Sequence, residues 1–122
     1  MGKTERIEFK DTGDWWEFKT YLTVASEREY AQHALDSQAT ITNPDPAIMD
    51  SLARRMDELV VKSTVAWSYG PLTLDTFYDL PAHHYAQVAK RLGDLYSPLV
   101  VTAIERAVSN YSLLLNQVEQ SP

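Results

Sequence analysis

The chain has 122 residues, of which 44% are hydrophobic and 23% are charged, values typical of one globular domain with a single hydrophobic core. Its formal net charge of −6 disfavours nucleic acid as a partner, because an acidic domain repels phosphate backbones. The cysteine count is zero, which excludes disulfides, thiolate metal sites and cysteine nucleophiles.

The first predicted element is a β-hairpin over residues 6–21. Its first half alternates polar and apolar side chains, which is the period of a half-buried strand, and its second half is rich in aromatic residues. The predicted packing residues of the hairpin are Ile7, Phe9, Trp16 and Phe18. Strict alternation sends Trp15 to the opposite face, where it is either an aromatic residue at the edge of a loop or an exposed binding residue.

Residues 23–118 are predicted to form a body of about five helices, because helix-capping residues and prolines divide this stretch. The predicted helix starts are Thr23 or Ser26, Asp45 with Pro46, Thr73, Pro81, and Ser97 with Pro98. The first of these helices is predicted to end near Ser37 and Gln38, before a connecting segment. The sequence therefore predicts one α+β domain, residues 1–122, that is mainly helical.

The second helix is predicted to run from Pro46 to Trp67, before Gly70 and Pro71 end it. Valine and threonine residues are concentrated near its end and lower helix propensity, so a strand is the alternative for Leu59–Trp67. We prefer the helix because polar and apolar side chains do not alternate there. Trp67 and Phe77 are predicted to fill the core.

The last predicted helix, residues 97–118, has the most regular apolar pattern in the chain. Its apolar row is Val100, Ile104, Ala107, Tyr111, Leu114 and Val118, and the flanking apolar residues are Val101, Val108 and Leu115. A surface helix of a single domain needs an apolar face only about 100° wide. Either part of this face binds a client helix or a second copy of the chain, or the helix lies in a groove between the helices at 45–67 and 82–96.

Aromatic residues are enriched at protein interfaces, and the chain has seven tyrosines and three tryptophans. Tyr96 and Tyr111, beside or on the last helix, are therefore candidate interface residues. Together with the helix face, the candidate protein-binding residues are Trp15, Tyr96, Val100, Ile104, Val108, Tyr111 and Leu115.

Catalytic and metal-binding patterns are weak. His83 and His84 could join Asp79 or His33 in a metal site, but adjacent helical residues point about 100° apart, so we interpret the pair as a solvated helix start. We find no carboxylate pair in an apolar setting, no glycine-rich phosphate loop and no nucleophile elbow. The sequence therefore predicts no enzyme, no cofactor and no metal. It also lacks an apolar run at its start or one of about 20 residues, so we expect no secretion signal and no membrane segment.

The order of elements resembles the tail assembly chaperones of long-tailed bacteriophages, small proteins that accompany the tape measure protein before tail-tube polymerisation. Three stretches carry the resemblance: the aromatic strand and capped helix at Trp15–Phe18 and Leu22–Arg28, the aliphatic run ending in Trp at Leu59–Ser68, and the turn and short helix at Gly70–Pro81. They lie within residues 7–96.

The resemblance implies a non-enzymatic chaperone in the host cytoplasm that binds the tape measure protein, or another tail protein, and keeps it soluble. It implies no cofactor, no nucleic acid and no membrane, and it leaves open a homo-oligomer. The alternative is a virion structural protein, such as a head–tail connector or another tail component.

Overall fold

Three strands and four helices make up the described part of the chain, which in this computed structural model comprises the backbone of residues 3–120 and the side chains of residues 3–116. The elements are β1 (Thr4–Glu8), β2 (Trp15–Lys19), α1 (Val24–Thr42), α2 (Pro46–Ser63), β3 (Thr64–Trp67), α3 (Leu74–Tyr78) and α4 (Ala82–Gln120). The predicted class, a mainly helical α+β protein with an N-terminal hairpin, is confirmed. The helix count over the described residues is four and not about five, because the last two predicted helices are one continuous helix, α4.

The predicted hairpin forms, and it acquires a third strand. β1 and β2 pair antiparallel around a turn in which Gly13 adopts a φ of 78°. The sheet order is β1-β2-β3, with β3 antiparallel to β2. The predicted helix from Pro46 to Trp67 is therefore wrong at its end, and the strand alternative holds for Thr64–Trp67 only. Hydrogen bonding to the free edge of β2 outweighs helix continuation there, since these residues have low helix propensity.

The aromatic core lies between the sheet, α3 and the first half of α4. Its largest members are Trp16, Phe18, Trp67 and Phe77, with Val88, Leu92 and Tyr96 contributed by α4. The Trp16 indole nitrogen donates to Thr64 Oγ1 at 2.8 Å, and its ring meets Trp67 edge-on at 5.2 Å. Among the described side chains, no buried nitrogen or oxygen lacks a hydrogen-bond partner. The predicted packing residues are confirmed, with Ile7 partly buried beside the core.

Helices α1 and α2 form an antiparallel pair. Thr23, one of the two predicted caps, accepts from the Ser26 backbone N–H at 3.1 Å. Asp45 caps α2 as predicted, accepting from the Ala47 backbone N–H at 3.0 Å. α1 runs to Thr42 rather than ending near residue 38, because its last turns lie along α2. There Arg55 donates to Asp36 at 2.7 Å.

Helix α4 is a single helix of 39 residues, although the sequence predicts two helices separated at Ser97 and Pro98. A proline inside a helix removes one backbone hydrogen bond and costs about 3 kcal/mol. Packing beyond the proline offsets this cost: Val100 contacts the core, and Arg106 donates to Glu27 at the start of α1 at 3.3 Å. The predicted starts at Thr73 and Pro81 are confirmed, with α3 ending at Tyr78. Of the helices described, none is long and apolar enough to cross a membrane.

Candidate protein-binding surface

An apolar groove of about 430 Å³ opens between α1, α2 and α4. Its lining residues are Tyr30, His33 and Ala34 of α1, Met56 and Val60 of α2, and Tyr85, Ala89, Leu92, Gly93, Tyr96, Ser97, Val100, Val101 and Ile104 of α4. Most of these side chains are aliphatic or aromatic. We call this surface the apolar groove.

Two tyrosines form a rigid part of the groove floor. Their rings, Tyr30 and Tyr96, meet at a centroid distance of 5.4 Å. The Tyr30 hydroxyl lies 3.1 Å from Ser63 Oγ, and the Tyr96 hydroxyl donates to the Lys19 backbone carbonyl. Burial raises the pKa of Tyr30 to about 12, so the hydroxyl stays neutral. Because both hydroxyls form hydrogen bonds inside the protein, the tyrosines contribute their rings to the groove lining and not their polar groups.

Small residues keep the middle of the groove open. Gly93 lines it, and a Cβ atom added there would meet no heavy atom within 4 Å. α4 continues through Gly93, with open space on that side of the helix. Ala34 and Ala89 stand on the two helices that flank this part of the groove. The space left by these residues can take side chains of another molecule.

The second half of α4 extends beyond the groove as an exposed helix. We call residues 105–116 the free arm, since every described side chain in it is exposed. Large apolar residues remain open to solvent there, with 59% of Val108, 63% of Tyr111 and 44% of Leu115 accessible. These residues follow Val100 and Ile104 at steps of three and four, so they lie on the α4 face that lines the groove. The groove and the free arm thus form one continuous apolar surface.

The structure brings most of the predicted binding residues together on α4. Val100 and Ile104 are half-buried in the groove wall, and Val108, Tyr111 and Leu115 lie on the free arm. Of the two alternatives for this helix, the one that places it in a groove between the helices at 45–67 and 82–96 is wrong, because it is the continuation of α4. Val118 belongs to the same predicted row, but its side chain lies outside the described residues.

Two of the predicted residues, Tyr96 and Trp15, are not exposed members of this surface. Tyr96 is buried, with only 4% of its surface accessible, and it contributes a ring edge to the groove floor rather than an exposed interface residue. Trp15 is half-buried on the opposite face of the sheet from Trp16, where the Arg6 guanidinium lies 4.0 Å above its ring. Trp15 is therefore separate from the apolar groove.

Sequence reasoning missed the α1 and α2 walls of the groove. In the sequence, Tyr30 and Ala34 form only a narrow apolar stripe on α1. A stripe of this kind indicates that α1 packs against something, but it does not indicate that a gap remains beside the contact. His33 also lines the groove, and its Nε2 lies 2.9 Å from the Leu52 backbone carbonyl. This contact joins His33 to the backbone of α2 at the groove wall.

A polar cluster at the other end of α4 corrects a second expectation. His83 and His84 are not a solvated helix start, since His84 is fully buried. Both Nε2 atoms reach the carboxylate of Asp11, in the turn between β1 and β2. Neither Asp79 nor His33 belongs to this cluster, and Asp11 reaches both rings from outside the helix. Long-range folding brings Asp11 within reach.

Comparisons of the chain with protein-family models, with curated proteins and with solved structures find no match. The resemblance to phage tail assembly chaperones therefore stays a prediction from the sequence. The apolar groove and the free arm are observed independently of that resemblance.

Proposed function

We propose that this protein is a non-enzymatic tail assembly chaperone. It binds an apolar helical segment of the tape measure protein in the apolar groove and along the free arm, and keeps that segment soluble in the host cytoplasm before the tail tube polymerises. The observation that carries the proposal is the continuity of the groove with the exposed apolar face of the free arm. The family resemblance supplies the identity of the client.

A helical client fits this surface better than an extended one. From Tyr85 to Leu115 the α4 face spans about 45 Å, which is roughly the length of a 30-residue helix. Recognition of an amphipathic helix in a groove uses apolar residues at steps of three and four, the same spacing that α4 presents. The outer strand β1 is short and carries Glu5, Arg6 and Glu8, and charged residues disfavour the addition of another strand.

The apolar area suits reversible binding. Burying one Val, Leu or Tyr side chain of the free arm contributes about 1.5–3 kcal/mol, and association itself costs at least about 4 kcal/mol. A handful of such residues therefore supports moderate and not permanent affinity. A chaperone must release its client when assembly begins, so moderate affinity is consistent with the proposed role. The net charge of −6 helps to keep the complex in solution.

Co-expression with the tape measure protein of the same genome tests the proposal. We expect the wild-type chain to raise the soluble fraction of the tape measure protein and to co-purify with it. The double variant Val108→Glu with Leu115→Glu should lose most of both effects, because it places two charges on the apolar face of the free arm. Both side chains are exposed, so the fold should be retained.

Leu113→Glu is the matched control. Leu113 is 61% accessible on the same arm, but two residues at about 100° each turn the helix by about 200°, so Leu113 lies on nearly the opposite side of the helix from Leu115. The control should behave as the wild type does. An equal loss of co-purification in the control would indicate nonspecific hydrophobic binding by the arm. Unchanged co-purification of the double variant would refute the proposed surface.

The alternative, a virion structural protein, makes a different prediction for the mature particle. A chaperone released at assembly is absent from purified virions, whereas a connector or tail component is present in fixed copy number. Quantitative mass spectrometry of virions therefore separates the two roles. Detection at a fixed stoichiometry would replace the chaperone proposal by the structural one.

A further inference from the structure

Three potential metal ligands converge where the sheet meets the start of α4. His83 Nε2 lies 2.6 Å from Asp11 Oδ2, and His84 Nε2 lies 3.0 Å from Asp11 Oδ1. One donor atom from each of the three residues lies within 4.8 Å of the others. The cluster is remote in sequence, since Asp11 belongs to the turn between β1 and β2.

The His84 ring is held in a fixed orientation. It is fully buried and stacked on Phe9, with ring centroids 3.8 Å apart and planes 8° from parallel. Its second nitrogen, Nδ1, lies 2.8 Å from the Tyr69 hydroxyl. Histidine ligands of metal ions are commonly fixed through their second ring nitrogen in this way, which sets the tautomer and the ring plane. Nε2 therefore points at Asp11 without freedom to turn away.

Neutral His84 has two tautomers, and the Tyr69 hydroxyl can form a hydrogen bond with Nδ1 in either one. In one, Nε2–H of His84 donates to Asp11, and Nδ1 accepts from the Tyr69 hydroxyl. In the other, Nδ1–H donates to Tyr69, and Nε2 presents a lone pair toward Asp11. The second arrangement is unfavourable for neutral His84 unless a cation lies between the lone pair and the carboxylate.

We propose that Asp11, His83 and His84 form a binding site for a divalent first-row transition-metal ion of the zinc class. Two imidazole nitrogens and one carboxylate oxygen are an established ligand set for Zn²⁺ with a further position open to water. Zn–N and Zn–O bonds of about 2.0–2.2 Å require donor atoms roughly 3.3 Å apart in a tetrahedron, which is within 1 Å of the spacings to Asp11. His83 and Asp11 are exposed and can make that adjustment.

Such an ion joins two parts of the protein that are distant in sequence. It connects the β1–β2 turn to the first turn of α4, at the opposite end of α4 from the free arm. The site is independent of the apolar groove and of the client proposed for it. Failure of one proposal therefore leaves the other unaffected.

Titration of the full chain with Zn²⁺ after dialysis against EDTA tests the site. By calorimetry we expect one saturable site per chain, and by thermal unfolding a Zn²⁺-dependent rise in Tm that EDTA reverses. Mg²⁺ should give neither effect, because it prefers oxygen ligands. Asp11→Asn and His83→Ala should each weaken Zn²⁺ binding by about tenfold or more. Circular dichroism of both variants checks that the fold is retained.

His33→Gln is the matched control, because His33 is the one histidine of the chain outside the cluster and lines the apolar groove instead. It should bind Zn²⁺ as the wild type does. The proposal is overturned if the wild type shows no stoichiometric binding, if Asp11→Asn and His83→Ala bind Zn²⁺ as tightly as the wild type, or if the control loses binding equally. In these cases the cluster is a hydrogen-bonded link only.

Nuclear magnetic resonance on the wild type gives a second readout that needs no variant. With three histidines in the chain, their ring signals can be followed separately during the titration. Zn²⁺ should shift the ring signals of His83 and His84 and leave those of His33 unchanged. Shifts confined to His33, or equal at all three rings, would contradict the site.

Discussion

The two halves of α4 carry similar apolar patterns in very different surroundings. In the first half, Val88, Leu92 and Tyr96 follow one another at steps of four and are buried in the aromatic core. In the free arm, Val108, Tyr111 and Leu115 follow at steps of three and four and are exposed. The pattern alone therefore indicates that a helix has an apolar face, but not whether that face is covered by the same chain. The apolar face that this chain leaves uncovered therefore lies on the free arm, where a partner can reach it.

A matched pair of leucine substitutions tests this contrast, and the core member has the largest expected effect. Leu92→Ala should lower the free energy of unfolding by about 2–5 kcal/mol, because it leaves a cavity in the core. Leu115→Ala should change it by no more than about 0.5 kcal/mol in the isolated protein, since its side chain is already exposed. Chemical denaturation followed by circular dichroism measures both values. Equal losses would mean that the free arm is packed in solution.

Self-association through the free arm would bury the apolar face of the second half of α4 against another copy of the chain. Both halves of the helix would then be covered. If the chain associates, Val108→Glu with Leu115→Glu should weaken the association at least tenfold, because each charge replaces an apolar contact. Sedimentation velocity over a concentration series measures this, with Leu113→Glu as the control. A folded monomeric double variant from an associating wild type would identify the arm as an interface. An unfolded variant would show that these residues belong to the core.

The smallest expected effect is a loss of stability at acidic pH, and it concerns the contacts of Asp11 with His83 and His84 at the start of α4. The ordinary pKa of Asp11 is 3.8, and in the folded protein it is lowered to about 2 by hydrogen bonds from His83 and then His84. A carboxyl whose pKa is lower in the folded state contributes stability above its unfolded pKa, and this contribution is lost as the pH falls toward the folded value. With EDTA present, wild-type stability should therefore fall between about pH 4 and pH 2.

The stability of the Asp11→Asn variant should fall less steeply over the same pH range, because the asparagine side chain does not titrate. Asp50→Asn, at an exposed position near the start of α2, should keep the wild-type slope. Urea denaturation at several pH values measures both slopes. Parallel curves for the wild type and Asp11→Asn would show that the link contributes nothing to acid stability.

Local signals predicted much of the fold because they depend on neighbouring residues. Thr23, Asp45 and Thr73 cap helices as their positions in the sequence suggest, since a cap bonds backbone groups two or three residues away. The errors have long-range causes. Thr64 enters a strand because β2 presents an edge 48 residues earlier in the sequence, and its hydroxyl receives the Trp16 indole N–H. Neither fact can be derived from residues 59–67 alone.

The candidate surface was predicted on α4 and missed on α1 and α2 for the same reason. The repeat from Val100 to Leu115 is visible in the sequence, whereas a groove is a gap between elements and depends on their relative placement. Pro98 gives the clearest case of a local rule overruled by packing. Its missing hydrogen bond predicts a helix boundary, yet contacts of α4 with the core and α1 maintain a single helix.

Pro98 also has a consequence for how the backbone opens. A helix that unwinds from its C-terminal end loses one hydrogen bond per residue until it reaches a position where a bond is already missing. The carbonyl of Asp94, four residues before Pro98, lacks that amide partner, so unwinding through Pro98 breaks no backbone bond, and the packing of Leu92 and Tyr96 in the core is what opposes further unwinding. Amide protons after the proline can then exchange with solvent through brief local opening, while those around Val88 and Leu92 wait for global unfolding. One continuous helix thereby contains two exchange regimes, and a client bound along the free arm would slow exchange in the outer one.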